Sequence, residues 1–438
     1  MFLYRHYNFT VFYRANQIIY ASVNVSTPFR LPEGISVAQE DFLTDQFYSV
    51  YWVETNKNYE DLALSVGNYR PLELQWLSTV PGTIIVVFLA LFLALTLLRG
   101  LKSDFVRFSI EDSEFSGLLD EQGWKLISGD VFRPPLNLHL FCAILGNGAQ
   151  LLSVTCILLL MAMLRERGLY YYAELQRMTL VLYILTSLIS GTISSYFYKQ
   201  LGGTYWKRTL LTTNLLFIGP LFLDWCVMYS FSLYYGITPS LHYSSVLLLV
   251  ILWLLVGFPL TVAGSLIGRR TTKVFDFPCR PNTIPRELPK LPWSKSRAFY
   301  LLAGGVVPFL ALLFGLFCIF QNIWGRQSGL SYGLLAVVFT LALVNTAFVS
   351  IYLVFSRLDS EDYHWWWPSI FNTGFSSVLL LIFSLWYYHF WSRMHGPFQA
   401  AHFYGHVFVL GYSIFLILGF VGFVSSLKFV VHSETAFL

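Results

Sequence analysis

The stretch GRRTTKVFDFPCRPNTIPRELPKLPWSKSR, Gly268–Arg297, decides how the rest of the chain is threaded. It carries Arg269, Arg270, Lys273, Arg280, Arg286, Lys290, Lys295 and Arg297 against two acids, Asp276 and Glu287. Pro278, Pro281, Pro285, Pro289 and Pro292 rule out a long helix, because proline lacks an N–H and clashes with the preceding turn. Long apolar runs lie on both sides. A basic connector between two such runs belongs in the cytosol, where Lys and Arg close to span ends accumulate. Fixing the side of this loop fixes the side of every other.

Composition agrees. Of 438 residues, 56% are hydrophobic and 12% charged; soluble domains carry ~25% charged residues. Nine apolar runs are long enough to cross ~30 Å of hydrocarbon. They are Thr79–Leu98, Leu138–Met163, Met178–Tyr198, Leu210–Leu233, Val246–Ile267, Phe299–Ile319, Leu334–Phe355, Ile370–Phe390 and Phe403–Val424. The expected fold is an all-α polytopic membrane protein. Its nine-helix domain, residues 79–438, carries cytosolic loops 99–137 and 268–297. A small lumenal β-rich segment, residues 1–78, precedes it. With the basic loop inside, the inner connectors hold 18 Lys/Arg and the short outer ones hold 5. That asymmetry predicts a lumenal N-terminus and a cytosolic C-terminus.

The N-terminal segment reads as strands at Phe9–Tyr13, Ile18–Val25 and Phe47–Thr55, all rich in β-branched and aromatic residues. The chain's two N-x-S/T sequons, at Asn8 and Asn24, both fall here. Their position on the expected lumenal side makes both asparagines candidate N-glycosylation sites.

Of 24 Asp/Glu, Asp224 alone lies in a predicted span. A carboxylate in lipid must face protein or water. Pro220 one turn earlier should break the helix and free carbonyls. Two readings stay open: a hydrogen-bonded packing role, or an ion- or proton-coupled transport site of the kind that discontinuous helices build. Asn214, on the same run, completes the candidate intramembrane polar site. With Asn147, Gln150 and Asn345 it is expected to make interhelical hydrogen bonds. Gly264-x-x-x-Gly268 predicts close helix packing. His402 and His406 share one helical face, but no acid or cysteine near them in sequence completes a metal set, so they read as interfacial.

Catalytic signatures such as GxSxG, HExxH and the phosphate-binding loop are missing, and there is no CxxC pair. No enzymatic activity, cofactor or metal is expected. The basic residues lie beside membrane, which argues against nucleic acid as a partner.

Four further stretches stand at span ends: GWKLISGDVFRPP (Gly123–Pro135), FPCRPNTIPRELP (Phe277–Pro289), SEDYHWWWPSI (Ser360–Ile370) and GFVSSLKFV (Gly422–Val430). On physical grounds Trp365, Trp366 and Trp367 place three indoles at headgroup level as anchors. Glu361 and Asp362 suit a helix N-terminus. Arg133-Pro134-Pro135 is a stiff, basic stop before the second span. In this order the stretches resemble the transmembrane 9 superfamily, the nonaspanins, over essentially the whole chain. The positions that carry the likeness are Gly123, Trp124, Lys125, Gly129, Asp130, Phe132, Arg133, Pro134 and Pro135, then Glu361, Asp362, Tyr363, Trp365, Trp366 and Trp367. The likeness begins partway into the family's lumenal domain, so a partial sandwich with open strand edges is expected there. The tail KFVVHSETAFL keeps Lys428 without the family's terminal sorting signal.

The resemblance implies a non-enzymatic protein of Golgi and endosomal membranes that assists sorting or surface localisation of other membrane proteins. Its implied partners are the lipid bilayer, client membrane proteins and cytosolic trafficking factors. The alternative is a proton- or ion-coupled small-molecule transporter using Asp224.

Overall fold

The computed structural model describes residues 2–3, 6–14, 17–25, 29–30, 47–56, parts of 84–102, 130–164, 171–236, 243–272, 293–323, 332–392, 394 and 396–437. Most of the basic connector (residues 273–292) and residues 123–129 of the first motif lie outside them. The chain divides into two compact units, Met1–Ser78 with Phe320–Leu330, and Thr79–Ile319 with Ser331–Leu438.

In the first unit the β-rich pattern becomes five strands: β1 (Phe2–Leu3), β2 (His6–Arg14), β3 (Gln17–Val25), β4 (Phe29–Arg30) and β5 (Phe47–Glu54). β1 pairs with β4. β2 and β3 form an antiparallel hairpin from Tyr7↔Val25 to Arg14↔Gln17, with an irregularity at Phe12/Tyr13. β5 returns parallel to β2, from His6↔Phe47 to Tyr13↔Glu54. β2, β3 and β5 are readable from side-chain type; the two-residue β1 and β4 are not, nor is the parallel return, because alternation is the same in either direction. Asn8 stands directly opposite Asn24, so both sequon side chains leave one face of the sheet.

The second unit is helical. Its elements are α1 (Leu138–Leu164), α2 (Tyr171–Gln200), α3 (Trp206–Tyr234), α4 (Tyr243–Leu252), α5 (Phe258–Thr271), α6 (Arg297–Ile323), α7 (Tyr332–Asp359), α8 (Trp366–Gly374), α9 (Ser376–Phe390) and α10 (Pro397–Phe437). α4 runs into α5 through a π turn, Trp253–Gly257, and α8 runs into α9 across Phe375. Counting each such pair once, eight helices among the described residues are long and apolar enough to cross a membrane. A further apolar helix, Val87–Gly100, overlaps the expected first span. The protein is thus an all-α polytopic membrane protein with a small β-rich N-terminal segment.

The helix break expected at Pro220 does not occur: α3 is continuous from Trp206 to Tyr234. Proline removes the donor for the carbonyl four residues earlier. That carbonyl, of Leu216, accepts a 2.8 Å hydrogen bond from the Tyr412 hydroxyl on α10. The irregular turn lies instead just ahead of Pro259, where Phe258 N–H reaches back five residues to the Trp253 carbonyl.

Small residues bring α2 and α5 together. A Cβ on Gly264 would stand 2.2 Å from the Leu188 carbonyl oxygen, and one on Gly268 would stand 2.3 Å from that of Thr192. Gly191 faces back with 2.1 Å to the Thr261 oxygen. Polar side chains add cross-helix bonds. Asn147 donates to Thr213 O (2.8 Å), Gln150 donates to Tyr183 O (2.8 Å), and Thr261 Oγ1 donates to Asn214 Oδ1 (3.1 Å). Asn345 departs from the expectation; its amide donates within its own helix to Leu341 O at 3.0 Å.

Candidate functional site: a junction of two distant motifs

The described half of the first motif, Asp130–Pro135, forms the turn that leads into α1. Arg133 Nη2 donates to Asp130 Oδ1 at 2.7 Å, and Asp130 is almost fully buried. Pro134 and Pro135 fix their own φ, so the approach is stiff. Asn137 then takes a left-handed φ of 56°, which asparagine tolerates better than most residues. Its carbonyl accepts from Leu140 and Phe141 N–H and starts the helix.

The third motif begins as the exit from α7. Glu361 N–H donates to Leu358 O, and Asp362 N–H donates to Arg357 O. Glu361 has φ 59°. This is a Schellman cap with glutamate where glycine is usual. Glu361 therefore closes the preceding helix rather than opening the next. Asp362 does not cap a helix N-terminus either. Its Oδ2 accepts from Arg357 Nη1 at 3.3 Å, and its Oδ1 accepts from His364 N–H at 3.0 Å. The Arg357 and Asp362 side chains are 3% and 7% exposed, and the guanidinium lies 4.9 Å over the Tyr300 ring.

The two motifs meet through the indoles. Trp365 Nε1 and Trp366 Nε1 both donate to the Val131 carbonyl, at 2.9 and 3.3 Å. Trp367 Nε1 donates to Leu136 O at 2.9 Å. Trp365 is fully buried and Trp366 nearly so. The expectation of three headgroup anchors is therefore corrected for Trp365 and Trp366, whose rings lie in the core and whose N–H groups bond the first motif; Trp367 is half-buried and bonds Leu136, one residue past that motif. Trp365 and Trp366 stack at 4.5 Å, and Phe141 and Phe423 pack around them. Phe132 and Tyr363 belong to the same buried cluster. Pro134, Leu136 and His364 form an exposed rim.

Gly123, Trp124, Lys125 and Gly129 lie outside the described residues. Asn8 is half-buried and Asn24 exposed on the hairpin. The structure does not bring Asn214 and Asp224 together. Asn214 faces Thr261 on α5, whereas Asp224 meets α10 at Gly405, where a Cβ would fall 2.6 Å from its Oδ1. His402 and His406 stand on the same stretch of α10 as Gly405, so the acid comes to the histidine pair from α3. This grouping was invisible in sequence, because the acid that joins the histidine pair comes from another helix. Among the described residues no group of three or more His, Cys, Asp or Glu is arranged to hold a metal.

The family model described as endomembrane protein 70 matches residues 1–397. Transmembrane 9 superfamily member 1 of Mus musculus is 37% identical over 98% of this chain and 72% of its own length. The chain belongs to the transmembrane 9 superfamily. The Bos taurus member 1 is also 37% identical over the same shares, and Arabidopsis thaliana member 3 is 36% identical over 98% of this chain and 73% of its own. No solved structure matches the chain. These three relatives bear the transmembrane 9 name, and none is named as an enzyme. In this transmembrane 9 protein the described part of the first motif, Asp130–Pro135, packs with the tryptophans of the third as one unit.

Proposed function

We propose that this protein assists the sorting or surface delivery of other membrane proteins in Golgi and endosomal membranes, without catalysing a reaction. Its N-terminus is lumenal, its C-terminus cytosolic, and Asn8 and Asn24 carry glycans. The observation that carries the reading is the motif junction: a buried heart with a small exposed rim at one end of the bundle. Lys295, from the end of the basic connector, reaches Asp359 at 3.7 Å beside it. A rigid platform next to a long basic loop suits docking of cytosolic trafficking factors. The bundle itself recognises client spans.

The test is deletion of the gene followed by measurement of surface levels across a set of multispanning proteins. A subset should fall, and reversing the rim with Leu136→Glu and His364→Glu should reproduce the loss with the protein still folded. Unchanged levels across the set overturn the proposal. A transport role rests on Asp224 alone; reconstituted flux that disappears in Asp224→Asn would favour it.

A further inference from the structure

Asp224 is the one acid of the predicted spans, and it meets α10 at Gly405, on the stretch that carries a pair of stacked imidazoles. The His402 and His406 rings lie 4.7 Å apart at 18°. The His406 Nδ1 is 2.7 Å from the His402 carbonyl oxygen, which makes that nitrogen a donor. Between them on the same helix, Gly405 leaves the space that the Asp224 carboxylate and the Met228 methyl group occupy. Asp224 and His402 are half-buried, and His406 is exposed on the bundle surface.

The ionisable groups at this level are therefore a carboxylate from α3 and two imidazoles from α10. α9, packed on α10 at this level, presents Tyr387 and Tyr388 to Phe403 and Tyr404, and His389 lies against Tyr388. Without a proton on the imidazoles the triad is anionic. With two it is cationic, and adjacent stacked imidazoliums repel. With one it is neutral, the state a half-dry site favours.

We propose that Asp224, His402 and His406 form a single proton-binding site between α3 and α10, sharing its protons as a unit. Gly405 is its positioning residue. Which compartment supplies the proton rests on the proposed orientation; the uptake does not, nor does it rest on a sorting role.

The experiment uses the full chain purified in lipid nanodiscs, titrated from about pH 7.5 to about pH 5, the range in which histidine changes charge. Proton uptake and the carboxyl and imidazole bands of pH-difference infrared spectra are recorded together. Wild type should take up one proton more than His402→Gln/His406→Gln. Asp224→Asn should remove the carboxyl signal and alter the imidazole bands together. Gly405→Ala removes no acid or base, and the atoms its Cβ meets are flexible tips, so it should fold; it should uncouple the two signals. Equal uptake in wild type and the double histidine variant overturns the proposal. Stoichiometric Zn²⁺ binding lost in the same variants also overturns it, by making the site a metal site.

Discussion

At the scale of single residues, the buried ion pair and the carbonyl freed by Pro220 predict losses of different size. Arg357→Ala leaves the Asp362 carboxylate buried without its cation, and is expected to cost about 3 kcal/mol or more. Thermal unfolding in detergent would show a large downward shift; a variant as stable as wild type would remove the pair from the account. Tyr412→Phe keeps the ring stacked on Phe217 but strips the donor from Leu216 O, for a loss of about 1 kcal/mol. Glu361 sits in a conformation that costs an L side chain ~1 kcal/mol relative to glycine. Glu361→Gly should therefore be neutral or stabilising, and Glu361→Val should destabilise; the same order of stability in reverse would mean that the glutamate side chain, not the backbone, matters there.

At the scale of elements, helix contacts decide which substitutions the bundle accepts. Gly264→Ala would push a methyl group into the backbone of α2, which cannot rotate away, and overpacking of this kind costs about 2 kcal/mol. Gly411→Ala is the control: its Cβ would meet Leu381 Cδ2 at 3.7 Å, an ordinary contact, and stability should hold. Comparing the two by fluorescence-detected size exclusion after heating separates close packing from a general intolerance of alanine. The Gly264–Gly268 spacing was legible because helical period alone puts both glycines on one face. So were most of the helices, whose length and apolarity are local properties. The junction was not. Three tryptophans beside a span end look the same whether their rings meet lipid or a carbonyl contributed by Val131. Only the fold supplies that carbonyl, just as only the fold brings Asp224 to His402. Local sequence reports what a residue is able to pair with, and packing chooses the partner.

At the scale of the whole molecule, threading is the proposal on which the others lean, and the N-terminal sheet offers a way to test it. By register, Tyr7, Phe9 and Val11 share one face with Val23, Val25, Val50 and Trp52. Asn8 and Thr10 share the other with Ser22, Asn24 and Ser49. His6 bonds Ser49 on this second face, at 2.7 Å. The first side is apolar; the second is polar around Asn8 and turns aromatic and apolar from Thr10 onward, where Tyr51 lies opposite Thr10 and Tyr20 and Val53 lie opposite Phe12. Both sequons stand on the second side, within its polar patch, with Asn24 exposed. If the segment is lumenal, N-glycosidase should shift wild type by two glycans, each of Asn8→Gln and Asn24→Gln by one, and the double variant by none. A sequon engineered into the basic connector should stay bare, because the same threading keeps that connector on the cytosolic side. Sugar on the connector with none on the hairpin would invert every loop at once and take the cytosolic docking rim with it.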